Sequence, residues 1–300
     1  MANKFGGEWT REKLVCVRRY LDAYAQVMKN QHHFTTWYID AFAGGGYVEL
    51  RDAEPSEFDV YADDAEASFS LLTGSALQAL KVEPPFDRFE FIENDSTRAR
   101  TLAELCGANA QLSGCVNLYN DDANTVLPRI CENFLPNDRG VLFLDPFGMN
   151  VDWTTLEAVA RTECLDVWYL VAISAVNRML PRTGQFPEGW REKLTRYFGT
   201  TDWQAAFYPP KSAQPTLFDE VGDAETDDGS ATKAANYRTI TAFILQRLKS
   251  IFRGGVANNP KILLSHNGSP QFLLCFAVSN PSPAASEPAL RIAKYILEMP

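Results

Sequence analysis

The stretch Trp37-Tyr38-Ile39-Asp40-Ala41-Phe42-Ala43-Gly44-Gly45-Gly46 constrains the fold more than any other part of the chain. An apolar run of strand length ends in an acid, and a glycine turn follows at once. A strand buried on both faces of an α/β sheet passes into its crossover in this way. Val141-Leu142-Phe143-Leu144-Asp145-Pro146-Phe147-Gly148 repeats the plan, with a carboxylate and an aromatic at the tip. Ligands of open α/β sheets sit at the carboxyl ends of strands. Two tips of different chemistry therefore point to one strand that holds a cofactor and another that holds a substrate.

The rest of the chain supplies the other elements. Leu14, Val15, Val17, Tyr20, Leu21, Tyr24, Val27 and Met28 recur at helical spacing, which predicts an amphipathic helix over 10–29. Further strands are expected at 36–41, 88–93, 115–120, 141–145 and 165–171. Helical patterns fall between them, including 74–80, 96–106 and 153–161. Two more strands, 261–266 and 271–279, are joined by Asn267-Gly268-Ser269-Pro270. That linker is too short for a parallel crossover, so the last pair should be an antiparallel hairpin. Seven strands, mostly parallel and ending in a hairpin, are the layout of a Rossmann-like methyltransferase-type sheet. Residues 1–171 and 261–300 would form this core. Residues 172–260 would be a helical insertion carrying an acidic disordered loop before a helix at 233–252.

At 300 residues and 46% hydrophobic content the chain can bury a full core. No apolar run reaches the roughly 18 residues of a membrane span, and residues 1–12 lack the apolar segment of a secretory leader. The six cysteines are scattered and only three histidines accompany them, so no zinc site is expected and reduced thiols in the cytoplasm are the simple reading. The net charge of −10 is concentrated. Asp52–Glu66 and Asp219–Asp228 contain acids and no base, and outside them basic residues outnumber acidic ones. A basic groove is therefore compatible with the overall acidity.

Glycines let a backbone turn sharply and approach a ligand closely, and backbone N–H groups in such a turn suit an anionic group. The pattern Asp40-x-Phe42-x-Gly44-Gly45-Gly46 thus fits a cofactor, with Asp40 suited to a cationic amine such as that of S-adenosylmethionine. A plain β-α turn is the alternative. Glu93, ending the second strand, suits a ribose diol, while Asp95 or Ser96 fits a helix cap. At the third strand end Asp122 could accept an adenine amino group while the Ala123 amide donates to a ring nitrogen. An N-cap role for Asp121 or Asp122 competes with this. Asp145, Pro146 and Phe147 suit a substrate amine. The carboxylate and the proline carbonyl would accept its two N–H bonds and the ring would stack on the base. A strand-end turn with Phe147 in the core is the alternative. The arginines and aromatics from Arg178 to Tyr208 would form either a stacking and phosphate-contacting surface or the insertion's own core. Gln214-Pro215-Thr216-Leu217-Phe218 resembles a peptide that docks on bacterial sliding clamps.

Tyr38–Gly44, Gly74-Ser75-Ala76-Leu77, Phe91–Asp95, Leu142–Met149, Asp166–Leu170 and Ala175-Val176-Asn177-Arg178 occur in that order. Together they resemble the three-Cys-motif partner protein family, from the first helix to the last. The resemblance implies a class I methyltransferase-type fold and a bacterial neighbour, a partner of radical S-adenosylmethionine type carrying the three-Cys motif. The Asp-Pro-Phe-Gly tip is similar to that of tRNA guanine-N2 dimethyltransferases. The order of glycine turn, Gly-Ser helix and Asp-Pro-aromatic is similar to that of a bacterial ribosomal-RNA adenine-N6 methyltransferase. Both imply methylation of an exocyclic amine on a nucleic-acid base. The usual amino-methyltransferase tip has a second proline that is missing here. A catalytically degenerate partner or scaffold is the rival expectation. A dinucleotide enzyme is disfavoured because no Gly-x-Gly-x-x-Gly opens directly into a helix.

Overall fold

The computed structural model describes residues 3–4, 8–49, 71–108, 114–209 and 233–299. The acidic stretch 52–66, the whole of the acidic loop 219–228 and the 214–218 peptide lie outside the described residues. In chain order the elements are β1 (Asn3–Lys4), α1 (Glu8–Met28), β2 (Thr35–Asp40), β3 (Tyr47–Glu49), β4 (Leu71–Thr73), α2 (Ser75–Ala79), β5 (Arg88–Ile92), α3 (Ser96–Gly107) and β6 (Val116–Tyr119). They continue with α4 (Ala123–Cys131), β7 (Asp138–Leu144), α5 (Trp153–Arg161), β8 (Leu165–Val171), α6 (Ile173–Arg178), α7 (Trp190–Phe198), α8 (Trp203–Phe207) and α9 (Tyr237–Ile251). The chain then forms β9 (Gly255–Val256), β10 (Lys261–Leu264), β11 (Pro270–Val278) and α10 (Pro283–Leu297).

The main sheet has the order β10-β11-β8-β7-β2-β5-β6, with β9 beside β11. β6, β5, β2, β7 and β8 are parallel, whereas β11 runs antiparallel to both β8 and β10. This is the expected Rossmann-like, methyltransferase-type sheet with a terminal antiparallel hairpin. Val141 to Leu144 are fully buried, as a central parallel strand covered on both faces requires. Side chains alternate between two cores. Ile39, Leu142, Leu144, Val167 and Tyr169 pack with α4, α5, α7, α8 and α9. Tyr38, Val141, Phe143, Trp168 and Leu170 pack with α1, α2, α3 and α10.

From β2 the chain moves outward through β5 to β6, then returns across β2 to β7 and β8. The crossovers leave β2 and β7 in opposite directions, so a crevice opens at their carboxyl ends. A short second sheet, β1-β3-β4, sits where 47–73 leaves the glycine turn. The Gly74 amide donates to the Gly46 carbonyl at 2.7 Å and brings the chain back to that turn before α2. Among the described residues no helix is long and apolar enough to cross a membrane.

α1 is fastened to the sheet by a polar contact as well as by its apolar stripe. The Tyr20 hydroxyl donates to Asp166 Oδ2 at 2.6 Å, and burial pushes the Asp166 carboxyl up to about 7. Tyr20→Phe removes the donor and leaves Asp166 underbonded. It should cost about 1–3 kcal/mol, read as a lower urea midpoint with an unchanged slope.

Candidate active site at the carboxyl ends of β2, β5 and β7

The end of β2 is gripped from both sides. The Ala41 amide donates to Phe143 O at 3.1 Å on the β7 side, and the Ala43 amide to Ile92 O at 2.9 Å on the β5 side. Gly44 and Gly46 then take φ of +66° and +90°, a conformation that favours glycine. A Cβ on Gly44 would meet nothing within 4 Å, so the turn presents bare backbone there. Phe42 is half-buried against the core of α4 and α5.

Asp40 lies beneath this turn and is completely buried. Its Oδ1 accepts the Phe42 amide at 3.2 Å and its Oδ2 the Tyr38 hydroxyl at 3.4 Å, and the Ser75 hydroxyl also bonds to it. Burial pushes its carboxyl up to about 7. The bonds from Ser75, Phe42 and Tyr38 oppose the rise, and the neighbouring charge of Asp145 adds to it. The structure thus brings Asp40 and Asp145 together, with Asp40 as the inner brace of the turn.

Glu93 follows β5 and is 5% exposed. The Gly44 amide donates to its Oε2 at 3.0 Å and the Asp95 amide to its Oε1 at 2.8 Å. Arg98 Nη2 stands 3.2 Å from the same Oε1. Asp95 caps α3, accepting the Thr97 and Arg98 amides at 3.0 and 2.9 Å. At the end of β6, Asp122 caps α4 by accepting the Asn124 amide at 2.7 Å, and Ala123 is the buried first residue of that helix. The capping alternative thus describes Asp95 and Asp122.

At the end of β7, Asp145 has 22% of its side chain exposed. Lys13 Nζ, from α1, stands 2.5 Å from Asp145 Oδ2 and 4.9 Å from the centre of the Trp9 ring. Lys13 itself is only 6% exposed. Pro146 is buried, Gly148 turns the chain at φ +66°, and buried Met149 anchors the far side. Phe147 is pushed outward and is 50% exposed, so it is not the core aromatic of the alternative reading. The Arg98 guanidinium lies 5.2 Å from its ring centre and so spans the tips of β5 and β7.

Lys13 and Arg98 are the site residues that sequence reasoning missed. Lys13 carried a signal, because it falls one turn before Val17, Tyr20 and Tyr24 on the apolar stripe of α1, where a lysine needs a buried acid. The aromatics of the 172–260 segment correct the surface reading. Tyr197, Phe198, Trp203, Phe207 and Tyr208 are buried, and Phe198 meets Phe207 and Phe243 edge-on at 5.9 and 5.2 Å. They are core.

The sequence matches no family model and no curated protein. Among solved structures the chain is similar to a Legionella pneumophila protein of the DUF519 family. That match has 13% identity, covers 99% of this chain and 92% of that one, and has a TM-score of 0.53. Weaker likenesses are Trm1 from Pyrococcus horikoshii in complex with S-adenosyl-L-methionine and the plantazolicin methyltransferase BamL with S-adenosylhomocysteine. Trm1 shows 10% identity, coverage of 95% and 59%, and a TM-score of 0.43. BamL shows 9% identity, coverage of 91% and 86%, and a TM-score of 0.34. The likeness to the Legionella protein is one of fold.

Two outcomes test this geometry. In Gly46→Ala the new Cβ falls 2.7 Å from Leu105 Cδ1 and 3.1 Å from Leu77 Cδ1, at a φ that L residues avoid. It should cost about 1–3 kcal/mol. In Gly45→Ala the Cβ finds ordinary contact at 3.7 Å from Arg98 Cγ, and stability should change by less than about 0.5 kcal/mol. Urea unfolding of both variants checks the contrast. The second outcome concerns pH. Asp40 and Asp166 stay protonated in the folded chain up to about 7, whereas unfolded aspartates ionise near 4. The folded state therefore binds more protons in that window, and stability should fall as pH rises from about 4 to about 7. Asp40→Asn should flatten part of that slope, by about 4 kcal/mol at most.

Proposed function

We propose that the protein is an S-adenosylmethionine-dependent methyltransferase that modifies an exocyclic amino group of a base in DNA or RNA. The observation that carries this reading is the pairing of two adjacent tips. One offers a bare glycine turn beside buried Glu93. The other offers Asp145 next to an exposed Phe147. The residues fit the cofactor. Gly44 leaves backbone uncovered, and among the described residues the buried Arg98 Nε–H makes no hydrogen bond, its nearest acid being Asp95 Oδ1 at 3.8 Å. Gly44, Gly45 and Gly46 would meet the amino-acid end, Glu93 the ribose, and Asp122 with the Ala123 amide the adenine. Phe42 would wall the pocket, and Asp40 would brace the turn from below through its bonds to Phe42, Ser75 and Tyr38. When bound, the cofactor supplies a methyl group on a sulfonium.

The chain's own residues do the rest. An exocyclic amine is a poor nucleophile because its lone pair is delocalised into the ring. Asp145 and the Pro146 carbonyl would accept its two N–H bonds, draw the nitrogen toward a tetrahedral form and aim its lone pair at the cofactor tip. Lys13 fixes Asp145 Oδ2 and leaves Oδ1 for the amine. Phe147 would stack on the base. No base is needed beforehand, since the proton leaves after transfer. The sequence resemblance supports a three-Cys-motif, radical-type partner.

A second reading is a degenerate methyltransferase fold that serves as a binding partner. It is favoured by one observation, that Glu93 and Asp145 are each already paired with a cation of the chain. Calorimetry with S-adenosylmethionine, S-adenosylhomocysteine and NAD should show binding of the first two only. Methyl transfer from labelled cofactor to pooled tRNA, rRNA and DNA should fall at least 100-fold in Asp145→Ala while cofactor binding persists. Undiminished transfer in that variant refutes the role of Asp145. Binding without transfer, with or without the partner, supports the scaffold.

A further inference from the structure

Lys13 and Arg98, on the α1 and α3 side of the crevice, are each answered by an acid, Asp145 and Glu93. The next strand end is different. β8 runs parallel to β7 with Tyr169 opposite Leu144, so it leaves the sheet beside Asp145. α6 follows directly and carries Asn177 in its last turn, with Arg182 in the loop beyond. Lys233 returns to this exit from 56 positions further along. Its amide donates to Arg182 O at 3.0 Å, and its Nζ donates to Asn177 O at 3.0 Å and to Asn177 Oδ1 at 2.7 Å. Among the described residues no acid pairs with Lys233 or Arg182.

Two cations stitched together by backbone, with no counter-charge, raise the energy of the free protein. Burial, and after it the charge of Arg182, push the Lys233 ammonium below its ordinary range. An anion relieves such a pair. The donors left over are all of one kind. Lys233 spends two N–H bonds on Asn177 and keeps a third. Asn177 accepts through Oδ1 and so keeps its side-chain N–H groups for another acceptor. Arg182 is exposed and carries the planar fork that matches a phosphate. A group that accepts from all three is an oxyanion. Its place narrows the choice. Ile173, Val176 and Leu180 are buried in the core with α4, α5 and α9, so the cluster stands over the face of the sheet opposite to α1 and α3. A base whose amine reaches Asp145 brings the phosphates of its own strand, and this exit is the wall of the entrance that carries unneutralised charge.

Resting on the methyltransferase reading, we propose that Asn177, Arg182 and Lys233 form a phosphate-binding site for the backbone of the nucleic-acid strand whose base enters beside Asp145. Contact with phosphate carries no sequence information. It fixes the register of the strand and leaves the choice of base to the strand tips.

Fluorescence anisotropy of labelled single-stranded RNA and DNA oligomers with the full chain, between about 50 and about 200 mM salt, reads both affinity and its salt slope. Arg182→Ala should weaken binding about 3- to 10-fold across sequences and lower the slope by about 0.7, one phosphate contact on a single strand. Arg182→Lys keeps the charge and loses the fork, so it should keep the slope and lose less affinity. Arg253→Ala removes the same charge from a residue paired with Glu163, just before the amino end of β8, and should change neither. S-adenosylhomocysteine binding, followed by calorimetry, should be equal in all four proteins. Wild-type affinity and slope in Arg182→Ala, or an equal loss in Arg253→Ala, overturns the site and leaves the cofactor reading standing. Binding of inorganic phosphate but of neither oligomer overturns the nucleic-acid assignment of the site. Absence of S-adenosylhomocysteine binding in every protein overturns the reading on which the site rests.

Discussion

The clamp on the end of β2 is the constraint on which the site depends. Ala41 bonds to the β7 side and Ala43 to the β5 side of the sheet, and Gly44 reaches Glu93. Three amides within four residues thereby fix where the backbone leaves the switch point. A turn tied to both neighbouring strands cannot shift without disturbing the core of the sheet. Whatever binds there meets a surface already in place, which removes the ordering cost a mobile loop would add.

Three acids converge on this clamp, and the fold neutralises each one differently. Asp40, with no solvent contact, is held by hydrogen bonds and a raised pKa. Glu93 takes backbone amides and Arg98. Asp145 takes Lys13. A buried carboxylate without such help would cost several kcal/mol. Asp145 raises the proton affinity of Asp40 through its own charge, so those two acids act as one electrostatic unit.

Much of the fold was legible because central parallel strands are buried on both faces and read as unbroken apolar runs. Leu165–Val171 and Trp153–Arg161 match the expected bounds, and the hairpin followed from the short Asn267–Pro270 link. The helix at Ala123–Cys131 was not named in advance, since Pro128 within it argues against helix locally while Val126, Leu127 and Ile130 bury its face. The β1-β3-β4 sheet is too short to leave a period. The acids at the strand ends were legible as residues, but which of them cap helices was not, because a cap and a ligand contact use the same side chain at the same place. The aromatics between Phe186 and Tyr208 show the same limit. Composition supplies the rings, and only packing says which way they face.

The least legible features were the two cations, and the reason is physical. Lys13 and Asp145 are separated by 132 positions, and no local pattern records a partner so distant. Yet both cations come from helices that cover the same face of the sheet, α1 and α3. That face therefore does two jobs. Its apolar residues close the core, and the N-terminal halves of its helices project charge over the rim to the strand ends. The Tyr20–Asp166 bond, lower on α1, fixes the height at which Lys13 arrives. A change that lets α1 slide along the sheet would move Lys13 relative to Asp145 before it exposed any core residue. The charge balance of the site is thus set by how the helices seat, and it should respond to mutations well away from the crevice.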